Sequence, residues 1–328
     1  MRTPGWFKSF NLVSALLLPL SIVYWLASKA VFISRLFCRK TSKTPVICVG
    51  GLLEGGVGKT PIVREIAAHL NAPVVMRGFG GHNVRAGAPV RKTDLARDVG
   101  DEAKMLADAG LTVYVGSRRE NMDVINYGPE RPAAIVMDDG FQNPSIRKDV
   151  SVLAFDAGVE SNYLILPAGA MRETLRHGIK RCDAVLLNGH EPRVMKMAKR
   201  LRKPVFFIRK EMNAANLFGK FIAFAGIGYP DKFFESLRRI PTVRLVGRVP
   251  FPDHHLYGKD DIIRLFRMAR QYEAGLICTE KDWVKLPLNI RKKIKYAPLK
   301  TVLPPNFYVW LDKKLAEKTE IKNDKDKD

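Results

Sequence analysis

The chain has 328 residues, 46% of them apolar, with 55 Lys and Arg against 33 Asp and Glu. That apolar share excludes a disordered polyelectrolyte, and the length favours two modest α/β domains over one large one. The four cysteines, Cys38, Cys48, Cys182 and Cys278, form no CxxC pair, which argues against a zinc ribbon or a disulfide scaffold. Residues 1–45 hold seven basic residues and no acid, so of the net charge of +22 the rest of the chain keeps 22 minus 7, or +15. An anionic partner is expected, and nucleic acid, a membrane surface or a phosphorylated substrate would each satisfy the charge.

Residues 10–28 carry no charge over 19 positions. As a helix they would reach about 28 Å, close to the roughly 30 Å of a bilayer's hydrocarbon core. Asn11, Ser14, Pro19 and Ser21 dilute the apolar run, so a span and an interfacial helix bent at Pro19 both fit. A buried core helix is the bland alternative. A signal peptide fits less well, because no small-x-small cleavage pattern follows and Tyr24, Trp25 and Lys29 suit an interfacial anchor. Five basic residues from Lys29 to Lys43 favour a cytoplasmic location for the chain beyond.

After Pro45 short apolar runs alternate with helical patterns, which predicts a mainly parallel sheet with crossover helices. Strands are expected at 46–49, 74–76, 112–115, 134–137, 152–155 and 184–187, and helices at 60–70, 102–109 and 192–201. A smaller α/β unit begins near the FIAFAGIGYP segment at 221–230, with a helix at 231–239 and a strand at 276–279. The expected organisation is an anchor helix over 1–36, a P-loop domain over 37–215, the smaller domain over 216–311 and a tail over 312–328. The tail's six Lys and six acids cancel, so it is expected to be solvated and disordered.

The strongest chemical signal is the run Gly50-Gly51-Leu52-Leu53-Glu54-Gly55-Gly56-Val57-Gly58-Lys59-Thr60 between a predicted strand and helix. Glycines let successive N–H groups close round phosphates, and the helix start adds its positive dipole end. Leu53, Glu54, Gly55, Gly56, Val57, Gly58, Lys59 and Thr60 are the candidate nucleotide-binding residues. Lys59 would meet the β and γ phosphates of ATP, and the Thr60 hydroxyl would ligate Mg²⁺. The full P-loop pattern wants glycine where Leu53 stands, so the match is partial; the bland reading is a ligand-free strand-to-helix turn. A second apolar strand delivers Asp138 and Asp139 at its end, where a metal beside such a loop needs carboxylates. Alone, that Asp-Asp-Gly is usually a turn.

Other clusters are individually weak. Asp101 in Gly-Asp-Glu reads by itself as a helix N-cap, and Arg77-Gly-Phe-Gly-Gly as a turn or an anion contact. Phe251-Pro-Asp-His-His admits a metal pair, a base with its orienting acid, or a solvated loop. The eight basic residues of 193–210, with Val194, Met197, Ala198 and Leu201 at helical spacing, suit a solvated face, lipid head groups or nucleic acid.

In order, GGVGKTP at 55–61, RGFGG at 77–81, GDE at 100–102, DDGFQ at 138–142, LPAGAMRE at 166–173, RCDAVLLNG at 181–189, FPDH at 251–254 and TEKD at 279–282 resemble the tetraacyldisaccharide 4'-kinase family of lipid A biosynthesis. The resemblance covers most of the chain. It implies a P-loop NTPase-like fold and transfer of the ATP γ-phosphate to the 4'-hydroxyl of an acylated disaccharide 1-phosphate, at the cytoplasmic face of the inner membrane. It also implies Asp101 as acceptor base supported by His254, and Lys59 as a catalytic cation. Thr60, Asp138, Asp139 and Glu102 would surround Mg²⁺, and Arg77, Gln142 and Arg172 would meet the lipid. The anionic inner-membrane surface is an expected partner; nucleic acid and an obligate protein partner are not. Gly51 replaces the family's usual Asn, Leu53 a Ser or Thr, Ala103 a Pro, Asn143 a His, and Ala170 and Thr174 two prolines. A membrane-associated P-loop ATPase that switches a protein partner is the rival reading.

Overall fold

The computed structural model describes residues 4–54, 58–82, 87–116 and 132–325. Two helices precede the body: the short α1 (Gly5–Lys8) and the long α2 (Leu12–Phe37), which contains Pro19. The packing of α2 is inverted. Its buried residues are Ser14 and Ser21, whereas Leu12, Leu16, Leu20 and Val23 are exposed. Ser21 Oγ accepts from the Ala168 N–H at 3.0 Å and donates to Ile165 O at 2.9 Å. Ser14 Oγ donates to Trp6 O, and Trp6 Nε1 donates to Pro167 O. A polar seam thus docks the helix on the 162–168 loop and leaves its greasy side bare. By length and composition it is the one candidate membrane span among the described residues.

The first body unit follows in chain order as β1 (Val46–Gly50), α3 (Lys59–Leu70), β2 (Val74–Met76), β3 (Ala88–Pro89), α4 (Ala96–Val99), α5 (Asp101–Asp108), β4 (Val113–Val115), β5 (Ile135–Asp138), β6 (Val150–Asp156), α6 (Leu175–Arg181), β7 (Ala184–Asn188), α7 (Pro192–Arg200) and β8 (Val205–Met212). Every residue of β1 is buried, as expected of a central strand covered on both faces. In α3, Ile62, Val63, Ile66 and Ala67 fall on one face and are fully buried in the sheet's main core. Each such aliphatic side chain contributes roughly 1.5–3 kcal/mol, so the helix that follows the phosphate loop is firmly held.

The smaller unit comprises β9 (Gly219–Ala225), α8 (Pro230–Arg238), β10 (Val243–Pro250), α9 (Lys259–Gln271), β11 (Gly275–Thr279), α10 (Glu280–Trp283), α11 (Leu288–Arg291) and β12 (Lys295–Ala297). Its four strands are parallel, in the order β10-β9-β11-β12. The chain then returns. β13 (Leu299–Val302) pairs antiparallel with β8 and completes a nine-stranded sheet ordered β13-β8-β7-β6-β1-β5-β2-β4-β3, and α12 (Pro305–Lys325) closes the chain.

This return corrects the expectation of a disordered tail from 312. Phe307 and Leu311 are fully buried in the main core and Leu315 packs against it, one helical turn apart in each step. The Phe307 ring meets Phe206 edge-on at 5.3 Å. An apolar stripe starting before 312 carries the charged residues into the helix. The basic run 193–210 divides between α7, which matches the helix expected over 192–201, and β8.

Candidate active site

The two sheets direct their strand ends into one cleft of about 2570 Å³, lined by Lys59, Asp138, Arg172, Glu102 and His254 and, on α2, by Tyr24 and Phe32. One end is built around β1. Its loop residues Gly55, Gly56 and Val57 lie outside the described residues. Gly58 follows with φ +73° and leads directly into α3, so the backbone conformation itself calls for glycine. Closer to β1, a Cβ on Gly50 would lie 2.4 Å from that of Phe141, which ties the loop strand closely to the segment after β5.

Asp138 ends β5 and is buried at 3% exposure, and the Thr60 hydroxyl donates to its Oδ2 at 3.1 Å. Burial, then the neighbouring charge of Glu102, push the Asp138 carboxyl up to about 7, against the opposing pull of Lys59. A buried acid raised in this way, touching a hydroxyl, is an all-oxygen donor set suited to a hard divalent cation completed by phosphate and water oxygens. No cluster of three or more His, Cys, Asp or Glu capable of holding a metal occurs among the described residues.

Asp139 has a different environment from the one expected of a metal ligand. Lys59 Nζ stands 3.2 Å from its Oδ1, and Arg172 Nη1 lies 3.1 Å from both of its oxygens. Burial raises its pKa, but Lys59 and Arg172 outweigh that and hold it below the usual carboxylate range. Its φ of +50° marks a strained turn that aims consecutive carboxylates at different partners. Gln142 donates to Gly51 O at 2.9 Å and to Glu173 at 3.3 Å, while Arg77 is an exposed residue of the cleft wall.

The other end of the cleft is assembled from both units. Asp101 is the first residue of α5, one position inside Gly100, and its Oδ1 accepts from the Glu102 N–H at 2.9 Å. It therefore lies within the helix and is not its N-cap. Its Oδ2 faces His254 Nδ1 at 3.0 Å, and Lys281 Nζ lies 3.7 Å away. Lys281 also meets Glu102 at 3.3 Å and Asp253 at 3.9 Å. Burial pushes the Asp101 carboxyl up, but the His254 hydrogen bond and the Lys281 charge pull it down further, so the acid is ionised at neutral pH. His254, at φ +58°, is drawn above its ordinary pKa by the same bond to Asp101, against burial and Lys281.

His255 turns away to Asp261 at 2.8 Å and stacks on Phe251, which excludes a metal pair with His254. Beneath both loops, fully buried Asp282 takes Lys285 Nζ at 2.7 Å, the Tyr257 hydroxyl at 2.8 Å and the Gly226 N–H at 3.0 Å. Lys281 and this Asp282 frame were not singled out as site residues in the sequence; a Lys beside an acid in a Thr-Glu-Lys-Asp turn gave no signal apart from the family resemblance.

A profile of the tetraacyldisaccharide-1-P 4'-kinase (LpxK) family matches residues 13–316. Relatives named tetraacyldisaccharide 4'-kinase include those of Methylobacterium nodulans, 39% identical over 94% of this chain and 92% of its own, and Phenylobacterium zucineum, 36% identical over 92% and 95%. The chain belongs to this kinase family. In fold it is similar to a crystal structure of LpxK from Aquifex aeolicus described as a complex with ATP, with TM-score 0.71 and 22% identity over 94% of this chain and 99% of that one.

Two departures from the 4'-kinase pattern have local reasons. Leu53 is 2% exposed, bridged to Met171 and packed in the core with Cys48, Phe141 and Leu153, so its side chain turns away from the cleft and only its backbone remains available to a phosphate. Thr174 caps α6 by accepting from the His177 N–H, a role proline would not fill.

Proposed function

We propose that the protein transfers the γ-phosphoryl group of ATP to the 4'-hydroxyl of an acylated glucosamine disaccharide 1-phosphate, and does so at the cytoplasmic face of the inner membrane. The observation that carries this reading is the meeting of the two ends. Asp101 is paired with His254 at 3.0 Å, and the adjacent Glu102 stands close enough to Asp138 to raise its pKa. An ionised acceptor base thus begins the helix that borders the phosphate site. In-line transfer needs this proximity of cradle and base.

Thr60 and Asp138 would hold Mg²⁺, which supplies charge neutralisation at the β and γ phosphates, with Glu102 nearby. Lys59 would exchange Asp139 for a phosphate oxygen, leaving Asp139 paired with Arg172 at the lipid side. The Asp101 carboxylate would take the proton of the 4'-hydroxyl as its oxygen bonds to the γ-phosphorus and the bond to the ADP oxygen breaks. His254 would hold Asp101 in position and stabilise its charge. Arg77, Gln142 and Arg172 line the wall where the sugar 1-phosphate would lie. The bare face of α2, followed by Lys29, Arg35, Arg39, Lys40 and Lys43, suits an anionic leaflet.

Incubation of detergent-solubilised protein with γ-labelled ATP and the acceptor lipid tests the reading: label should move to lipid. Release of labelled phosphate without a labelled lipid, stimulated by protein or bare membrane, would favour an ATPase switch instead.

A further inference from the structure

A second lysine stands against the phosphate loop, and the reaction outlined above leaves it without a role. β1 lies between β5 and β6, and a carboxylate at the end of each neighbour holds a lysine beside the loop. Asp139, just past β5, holds Lys59 at 3.2 Å; Asp156, the last residue of β6, holds Lys210 at 2.6 Å. Lys210 comes from β8, two strands away from β6.

Its ammonium rests against Gly58, the residue that leads from the loop into α3. A methyl group placed on Gly58 would stand 2.7 Å from Lys210 Nζ, so the bare backbone permits the approach. The pair is largely sequestered, at 14% and 9% exposure. Asp156 accepts the Gly158 N–H on its other oxygen, and Lys232 of α8 brings a further ammonium to Gly158, where an added methyl would be 2.9 Å away. Asp156 therefore faces two ammonium groups in a corner of the cleft, and the other acid near Lys232, Glu160, is exposed and already paired with Lys8. An excess of half-buried positive charge beside a phosphate cradle is costly until an anion arrives.

We propose that Lys210 is a second phosphate-binding lysine. In the absence of nucleotide Asp156 occupies its ammonium, as Asp139 occupies that of Lys59, and a triphosphate oxygen displaces the carboxylate. The alternative is a strut that merely ties β6 to β8. This inference rests on ATP being the nucleotide, and the experiment separates the two failures.

Affinities for Mg·ATP and for adenosine are measured on the full-length solubilised protein and on Lys210→Met, Lys210→Arg, Asp156→Asn and Lys59→Ala. A charged hydrogen bond to phosphate implies that Lys210→Met weakens ATP by roughly 10- to 100-fold, with adenosine unchanged. Lys210→Arg should recover much of the loss, and Asp156→Asn should leave ATP binding intact or tighter, because the competing carboxylate is gone. A strut predicts the reverse for the last variant: Asp156→Asn would match Lys210→Met, and adenosine would weaken in parallel. Either result overturns the proposal, as does unchanged ATP affinity in Lys210→Met while Lys59→Ala loses it. If Lys59→Ala also binds ATP normally, the nucleotide reading itself fails. Should Lys210→Met not fold, Asp156→Asn alone still decides between the two roles.

Discussion

The phosphate end and the acceptor end of the cleft are built on opposite plans. The phosphate end is internal to the nine-stranded unit: β1, β5 and α3 deliver Gly58, Lys59, Thr60 and Asp138 from one continuous core. The acceptor end exists only where two units touch, since Asp101 and Glu102 start α5 while His254 comes from the loop after β10 and Lys281 from α10 of the four-stranded unit. Nucleotide binding should therefore survive damage that abolishes transfer.

The largest expected effect tests that separation directly. Asp101→Ala should lower turnover by about 10²- to 10⁴-fold with ATP affinity nearly unchanged, as read from single-turnover transfer beside equilibrium binding. Loss of nucleotide binding in this variant would show that the two ends are not independent. Next is the frame of the smaller unit. Asp282→Ala leaves the fully buried Lys285 ammonium without its counter-ion, a change that costs about 3–5 kcal/mol and should appear in thermal unfolding. ATP binding by the remaining folded protein should persist.

The phosphate end has its own signature. In the proposed role of Asp138 as a Mg²⁺ ligand, protons would compete with the cation for its carboxyl, whose pKa of about 7 is set by burial and Glu102. The Mg²⁺ concentration for half-maximal activity should therefore fall about tenfold between pH 6 and pH 8, and Asp138→Asn should abolish that dependence. The contact between the units responds in the opposite sense. The folded pKa of His254 is raised by Asp101, so its contribution to stability is complete below the unfolded value of about 6.5. It is lost as pH rises through the higher folded value; His254→Gln should flatten that slope in unfolding experiments. The smallest effect is local: Thr174→Ala removes the α6 cap and should cost about 1 kcal/mol, without altering ATP affinity.

The same division decided what could be read beforehand. β1, β5 and β7 are apolar up to their last residue, and the phosphate loop and Asp138-Asp139 sit at strand ends, where a parallel sheet places ligand groups. β10 escaped notice because Arg244, Gly247 and Arg248 interrupt its pattern, and β8 because the consecutive charges Arg209, Lys210 and Glu211 resemble a solvated face. The return of β13 and α12 depends on pairing with a segment nearly ninety residues earlier, as in Leu299 with Met212, which no local periodicity encodes. Asp101 with His254 is a contact across 153 positions, so only the family resemblance pointed to it.

The polar seam of α2 bears on how reactants meet. With Ser14 and Ser21 fastened to the body and leucines facing outward, the proposed seating of the helix in a leaflet would hold the cleft at the level of the head groups, with Tyr24 and Phe32 as part of its rim. A lipid acceptor would then slide in sideways with its tails still in the leaflet. Encounter would become a search in a plane, governed by the acceptor's mole fraction in the surface and by the bilayer's viscosity, and diluting the aqueous phase alone would leave that search untouched.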